Sequence, residues 1–204
     1  MQKQVLKKAT IYSTLVAIFL CVLVIGYTFI TNLKKARQNL VTDPIMDRIT
    51  PVFSNDETII RPYASDKVDI LSEYYDYKGS KEKQLSGIIM YENTYMQNTG
   101  VIYGAPETFD VLAIAPGEVI KVEDNDLSLK TIEIKHNDNL VSKYKFLSET
   151  NVSVNTMVKS GDIIGKSGIS NLADNTKNQL YFELLLNGKL VNGEDYYGMK
   201  INEL

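Results

Sequence analysis

The chain has 204 residues, 22 basic against 25 acidic, with a single histidine and a single cysteine. That length suits one folded domain with an attachment. A net charge of −3, with no basic stripe and no aromatic–basic interleaving, gives nucleic-acid binding no footing.

Residues 10–31, TIYSTLVAIFLCVLVIGYTFIT, form an uncharged and mostly apolar run. A helix covers a hydrocarbon core of roughly 30 Å with about 20 residues, so the run predicts a transmembrane helix. A buried soluble helix and a cleaved signal peptide are the alternatives. The apolar part of a signal peptide is usually only about 7–15 residues and precedes a small-x-small site, which TFITNLKK does not supply. A retained anchor is therefore expected, and it takes Cys21 out of any aqueous site. Lys3, Lys7 and Lys8 precede the run, and Lys34, Lys35 and Arg37 follow it. This flanking charge is nearly balanced. With a whole domain behind the run, residues 1–9 are read as a short cytoplasmic tail and the rest as extracytoplasmic. All acidic residues follow the run. Residues 32–57 carry prolines and polar residues without sustained periodicity, and read as a linker.

Residues 58–98 are rich in tyrosine: Tyr63, Tyr74, Tyr75, Tyr77, Tyr91 and Tyr95. IIRPYASDKVDILSEYYDYKG and IIMYENTYMQNTGV predict strands, with turns at Arg61-Pro62 and Lys78-Gly79. Tyrosines at the water boundary of amphipathic strands account for most of this. A partner surface is the sharper alternative, because tyrosine is enriched at interfaces.

Residues 99–192 alternate short β-branched or aromatic runs with Gly, Asn, Asp and Pro clusters, which predicts a mainly β, antiparallel domain. Asn187-Gly188 marks a two-residue hairpin turn. Residues 124–126, residues 137–139 and Pro116-Gly117 mark further turns. Gly161, Gly165 and Gly168 in KSGDIIGKSG are read as tight turns, since the spacing of a phosphate loop is not met. His136 in KHND reads as a hydrogen-bonded residue at a strand end. Pairs such as Glu123/Asp124 read as solvated turn charges, with a two-carboxylate glycosidase as the open alternative. Residues 193–204 are a C-terminal tail.

The order of these pieces resembles the lysostaphin-type (LytM-like) zinc peptidase family of cell-wall enzymes. The scaffold phrases survive at Ala113–Val119, Ile134–His136, Tyr144–Leu147, Val158–Gly168 and Leu180–Glu183. On that pattern H-x-G-x-D, Y-x-H-L and H-L-H-F-E place the metal and catalytic positions at Asn98, Ile102, Phe146, Gln179 and Tyr181. All five depart from His or Asp. The resemblance thus implies the fold and argues against the activity. The same conclusion follows without it, since a catalytic zinc takes about three protein ligands and an open position. No catalytic residue, metal site or cofactor is expected.

The phrases IIRPY, YYDYKG and YENTYMQNTGV resemble a membrane-anchored, metal-poor sporulation branch of the family. That resemblance implies a docking protein in the membrane around an engulfed forespore. Its emptied groove and sheet would bind the extracytoplasmic domain of another membrane protein, and it could belong to a higher oligomer. A degenerate activator of a cell-wall amidase and a residual hydrolase are the alternatives, although no sustained heptads precede the domain. Strand addition at an open sheet edge is the expected mode of docking, with Val119–Lys145 as the leading stretch.

Overall fold

The structure, a computed structural model, describes residues 57–91, 93–125, 128–170, 172 and 176–204. The expected anchor at 10–31 and the linker up to residue 56 lie outside them. Among the described residues no helix is long and apolar enough to cross a membrane.

Among the described residues, twelve strands carry the fold. In chain order they are β1 (Asp69–Ser72), β2 (Ile88–Tyr91), β3 (Thr94–Gln97), β4 (Val101–Ala105), β5 (Asp110–Leu112) and β6 (Gly117–Asn125). They continue as β7 (Leu129–Lys135), β8 (Leu140–Thr150), β9 (Met157–Val158), β10 (Ile163–Ile169), β11 (Asn178–Leu186) and β12 (Lys189–Val191). A short helix, α1 (Lys81–Ser86), is capped by Ser80, whose hydroxyl accepts from the Lys83 N–H. One antiparallel sheet runs β1-β4-β11-β10-β8-β7-β6-β9, with β12 added to β11 and β5 to β10. The β2–β3 hairpin forms a separate two-stranded sheet.

The core follows from period-two alternation. Leu140, Ser142 and Tyr144 of β8 turn inward, as do Ile132 and Ile134 of β7 and Leu180, Phe182 and Leu184 of β11. Asn187-Gly188 joins β11 to β12 with positive φ at both residues, 52° and 73°, as the sequence predicted.

Three expectations are corrected. Of IIRPYASDKVDILSEYYDYKG only Asp69–Ser72 is a strand; Ile59 and Ile60 instead donate to carbonyls of Met199 and Ile114. Gly165 and Gly168 are not turns but residues of β10. A Cβ there would meet the Glu149 carbonyl oxygen at 2.4 Å or the Phe146 carbonyl oxygen at 2.7 Å, so glycine permits close strand approach. Finally, most of Val119–Lys145 offers no open edge. β7 lies between β6 and β8, while β8 is paired on both sides. Only the outer side of β6 beyond Val119 is free of ladder partners, and charge blunts it: Lys121 pairs with Glu123, and Lys130 with Asp124.

The carboxyl-terminal residues pack onto the domain. Arg61 forms a fork-to-fork pair with Glu194 at 2.7 Å, and the Tyr103 hydroxyl donates to the same carboxylate at 2.6 Å. Arg61 also lies 4.9 Å over the Tyr197 ring. Ile201 is buried.

His136 is buried beneath this sheet. Its Nδ1 lies 2.9 Å from the Pro116 carbonyl oxygen, which can only accept, so Nδ1 carries the proton. Nε2 then accepts from the Ser142 hydroxyl at 2.7 Å. Loss of hydration pushes the His136 pKa down to about 4. The folded pKa is therefore below the unfolded one, and between pH 6.5 and about 4 the unfolded chain binds the additional proton. Stability from this group is complete above pH 6.5 and falls with pH across that window, by about 3 kcal/mol. The single histidine makes the measurement direct: its ring resonances should show no titration above pH 5, and a midpoint of 6–7 would refute the neutral buried ring. A second expectation concerns β10. Gly165→Ala should cost roughly 3 kcal/mol in urea unfolding, because backbone must move. Gly188→Ala, with nothing within 4 Å, should cost only about 1 kcal/mol for its positive φ.

Candidate functional site

Strand pairing brings four of the five family positions into one region. Ile102 and Tyr181 are direct partners across β4 and β11, and Gln179 pairs with Gly104 one step along. Because adjacent strand residues point to opposite faces, these side chains lie across the sheet from Val101, Tyr103, Leu180 and Phe182. That second face is also closed. Every residue of β4 is buried.

Phe146 reaches the same face through a β-bulge. From Ile132 to Lys130 the partner positions on β8 pass from Tyr144 to Leu147, so β8 carries an extra residue there. Phe146 holds φ at 66°, a conformation costing an aromatic residue about 1–3 kcal/mol. The alternation that would send Phe146 inward with Tyr144 is thereby broken, and Leu147 takes the core position instead. A bulge re-aiming a side chain is a recurrent device beside active sites.

What gathers here is a hydrocarbon plug rather than a ligand set. Ile102, Phe146 and Tyr181 pack with Ile89, and Leu71, Leu129 and Leu172 flank them. The Phe146 and Tyr181 rings sit 5.4 Å apart. Ile89 comes from β2, so the hairpin packs one side chain against Ile102, Phe146 and Tyr181, where the resemblance would place metal and catalytic groups. The groove is filled, which corrects the expectation of an emptied one: Ile102, Phe146 and Tyr181 occupy it with Ile89 of β2 packed against them.

The polar members are spent on structure. The Asn98 amide donates to the Glu73 carbonyl at 2.8 Å and accepts from the Gly100 N–H at 3.3 Å. Asn98 thus joins the tyrosine-rich segment to the start of β4, and it does not enter the plug. Gln179 donates to the Ser170 carbonyl at 2.9 Å. The Tyr181 hydroxyl lies 2.8 Å from Thr99 Oγ1, which donates to Glu183 at 2.7 Å. Glu183 in turn pairs with Lys145 at 2.8 Å, and Lys145 lies 4.9 Å over the Tyr181 ring. Burial pushes the Tyr181 hydroxyl up to about 12, so it stays a neutral phenol. This Thr99–Tyr181–Glu183–Lys145 network was not singled out in the sequence. Its signal was present in the LYFEL phrase, where Glu183 stands in an otherwise apolar strand.

A zinc ion does not fit these residues. Ile102 and Phe146 offer no lone pair, Asn98 and Gln179 are neutral amides that donate to backbone carbonyls and supply no thiolate, imidazole or carboxylate, and Tyr181 remains protonated. Among the described residues no group of three His, Cys, Asp or Glu is arranged to hold a metal.

The tyrosines of residues 58–98 divide by position. Tyr63 stacks on Tyr103 with centroids 5.0 Å apart, and Tyr74 donates to the Leu190 carbonyl at 3.2 Å. Tyr77 and Tyr95 are 72% and 74% exposed. The β2–β3 hairpin also presents Ile88, Met90 and Met96 to solvent, and neither strand has a charged residue.

Comparison with known proteins follows this geometry. Residues 96–193 match the model of peptidase family M23. Stage II sporulation protein Q of Bacillus subtilis is 27% identical over 161 residues, 78% of this chain and 57% of that protein. The chain thus spans little more than half the length of this relative. The cell division protein DipM of Caulobacter vibrioides is 30% identical over 67% of this chain, but only 22% of its own length is covered. Among solved structures, one of the SpoIIQ–SpoIIIAH pore-forming complex matches at a TM-score of 0.68 with 27% identity, over 72% of this chain and 96% of that one. A second SpoIIIAH–SpoIIQ complex matches at 0.64 with 28% identity, over 68% and 99%. Residues 96–193 are therefore similar to peptidase family M23, in a chain similar to stage II sporulation protein Q.

Proposed function

We propose that this chain is a membrane-anchored docking protein whose peptidase-like domain performs no hydrolysis. The observation that carries the loss of catalysis is the plug: Ile102, Phe146 and Tyr181 pack against Ile89 at the positions where the family resemblance places metal and catalytic groups. Hydrolysis by this family needs a coordinated metal and an open position beside it. Here the space is hydrocarbon, and β2 lies over it.

Docking is supported by the similarity to the SpoIIQ chain of the SpoIIQ–SpoIIIAH complexes, which extends over nearly all of that chain. On this reading the partner is the extracytoplasmic domain of stage III sporulation protein AH. Residues 10–31 anchor the chain in the forespore membrane with residues 1–9 in the cytoplasm. The folded domain then faces the intermembrane space and bridges toward the mother-cell membrane during engulfment, as one unit of a higher oligomer. No cofactor takes part.

Two measurements test this reading. The full-length chain in detergent micelles should retain far less than one zinc per chain after dialysis, and a chelator should leave its melting temperature unchanged; a metal bound only by the folded state would raise it. Ile102→Asp restores a carboxylate at a ligand position. It should lower stability by at least about 3 kcal/mol, because it buries a charge without a partner. Stoichiometric zinc coupled to stability would overturn the reading. So would failure of the AH-type extracytoplasmic domain from the same organism to co-purify with the chain.

A further inference from the structure

A cleft of about 540 Å³ lies between the segment from Ile70 to Asp76 and the segment from Leu190 to Tyr196. Val101 lines it, so it opens on the face of β4 opposite Ile102 and the plug. Its apolar surface comes from Ile70, Val101 and Leu190, and its aromatic surface from Tyr74 and Tyr196.

Four carboxylates line the cleft and one lysine, Lys83, joins them. Glu194 is already satisfied by Arg61 and Tyr103. The other three are held by one oxygen each. Glu73 accepts from the Ser86 hydroxyl at 2.8 Å, Asp76 from the Lys78 N–H at 2.9 Å, and Asp195 from the Asn192 amide at 3.2 Å. Among the described residues none of these three takes part in an ion pair. The cleft thus carries an excess of negative charge, three carboxylates outside ion pairs against Lys83, beside the apolar side chains of Ile70, Val101 and Leu190.

That combination selects among cations. The carboxylates do not converge into a group that could hold a metal ion. A bare divalent ion also gains nothing from Ile70, Val101 and Leu190. A cation on a flexible aliphatic stem uses both parts: methylenes lie along the floor while the charged head meets carboxylate oxygens and tyrosine faces. The cleft volume falls in the ordinary range of ligand sites.

We infer that this cleft receives a lysine or arginine side chain presented by the docking partner. The inference takes its partner from the docking function proposed above. A protein is the occupant rather than a free amine because the chain runs from Asp76 through α1, which supplies Lys83, directly into the β2–β3 hairpin, whose two strands carry no charge. The hairpin exposes Ile88 at 38%, Met90 at 57% and Tyr95 at 74%. A protein surface can cover both features, with charge fixing register at the cleft and apolar contact supplied by the hairpin.

The test uses the full-length chain in detergent micelles and reads backbone amide resonances. Its probes are the peptide acetyl-Gly-Lys-Gly-Lys-Gly-amide, the same peptide with glutamate for lysine, and calcium chloride. The lysine peptide should shift the amides of Val101, Leu190 and Asp195, less so as salt rises, and the glutamate peptide should not. An Asp76→Asn/Asp195→Asn double variant should lose these shifts while its remaining spectrum stays unchanged. The AH-type extracytoplasmic domain should bind that variant about tenfold more weakly than the parent. Absence of lysine-peptide shifts at those amides overturns the cleft assignment whatever the protein partner does, and so does a calcium response of equal size at lower concentration. Equal binding of the extracytoplasmic domain to parent and variant overturns the partner's use of the cleft while leaving docking intact. If the domain binds neither but the peptide shifts persist, the docking reading falls and the cationic cleft stands.

Discussion

The double-sided burial of β4 and β11 is the constraint on which the remaining structure depends. Strand β4 has five residues and no exposed position, so each of its faces needs its own cover. One face is met by the main core, where Tyr103, Leu180 and Phe182 gather. The other is met by Ile89 and Phe146, with Leu71 and Leu129 beside them. In a metal peptidase that second face can stay hydrated, because ionisable ligands and a bound ion belong in water-accessible space. Once Ile102 and Tyr181 occupy it, hydration becomes costly and the face has to be covered. The β2–β3 hairpin supplies part of that cover through Ile89.

The bulge at Phe146 decides which face of the sheet that side chain takes. An aromatic side chain gains little from a left-handed backbone and would sit without strain in a regular strand. Here the extra residue in β8 still turns position 146 onto the second face, and the strain is offset by burial against Tyr181. The Glu183–Lys145 pair has a similar logic. A buried ion pair seldom adds net stability, but removing one partner leaves the other uncompensated. With Thr99 also bound to Glu183, the pair fixes the positions of Tyr181 and of the chain entering β4.

Much of the β architecture was legible because period two and turn chemistry act locally. Asn187-Gly188 marks its hairpin by backbone preference alone, and the alternating residues of β7 and β8 point to the core directly. The family resemblance assigns Asn98, Ile102, Phe146, Gln179 and Tyr181, but what those residues do was hidden. Nothing in the order of residues says that Ile89, far from Phe146 in sequence, closes over it. The glycines of β10 misled for a related reason: a tight turn and a close strand approach both call for a missing Cβ, and only the three-dimensional neighbour distinguishes them. Likewise, IIRPY reads as a strand by composition, yet its backbone is satisfied by the carboxyl-terminal residues around Met199.

The two hairpins that could serve as foreign-strand partners differ in how they meet water. β6 carries the devices by which proteins discourage unwanted pairing: a register shift after Val119, and lysines and carboxylates along its exposed length. β2 and β3 carry none of them. Their eight residues contain no charge, and an isolated two-stranded sheet is marginal in water by itself. Ile89 secures the hairpin from below through the plug, but nothing comparable restrains Met90 and Tyr95 above. A surface kept apolar on one side of an element whose other side is buried is stable in the monomer and available to a second protein. The hairpin that covers Ile102 and Tyr181 through Ile89 therefore also presents Ile88, Met90, Tyr95 and Met96 to solvent.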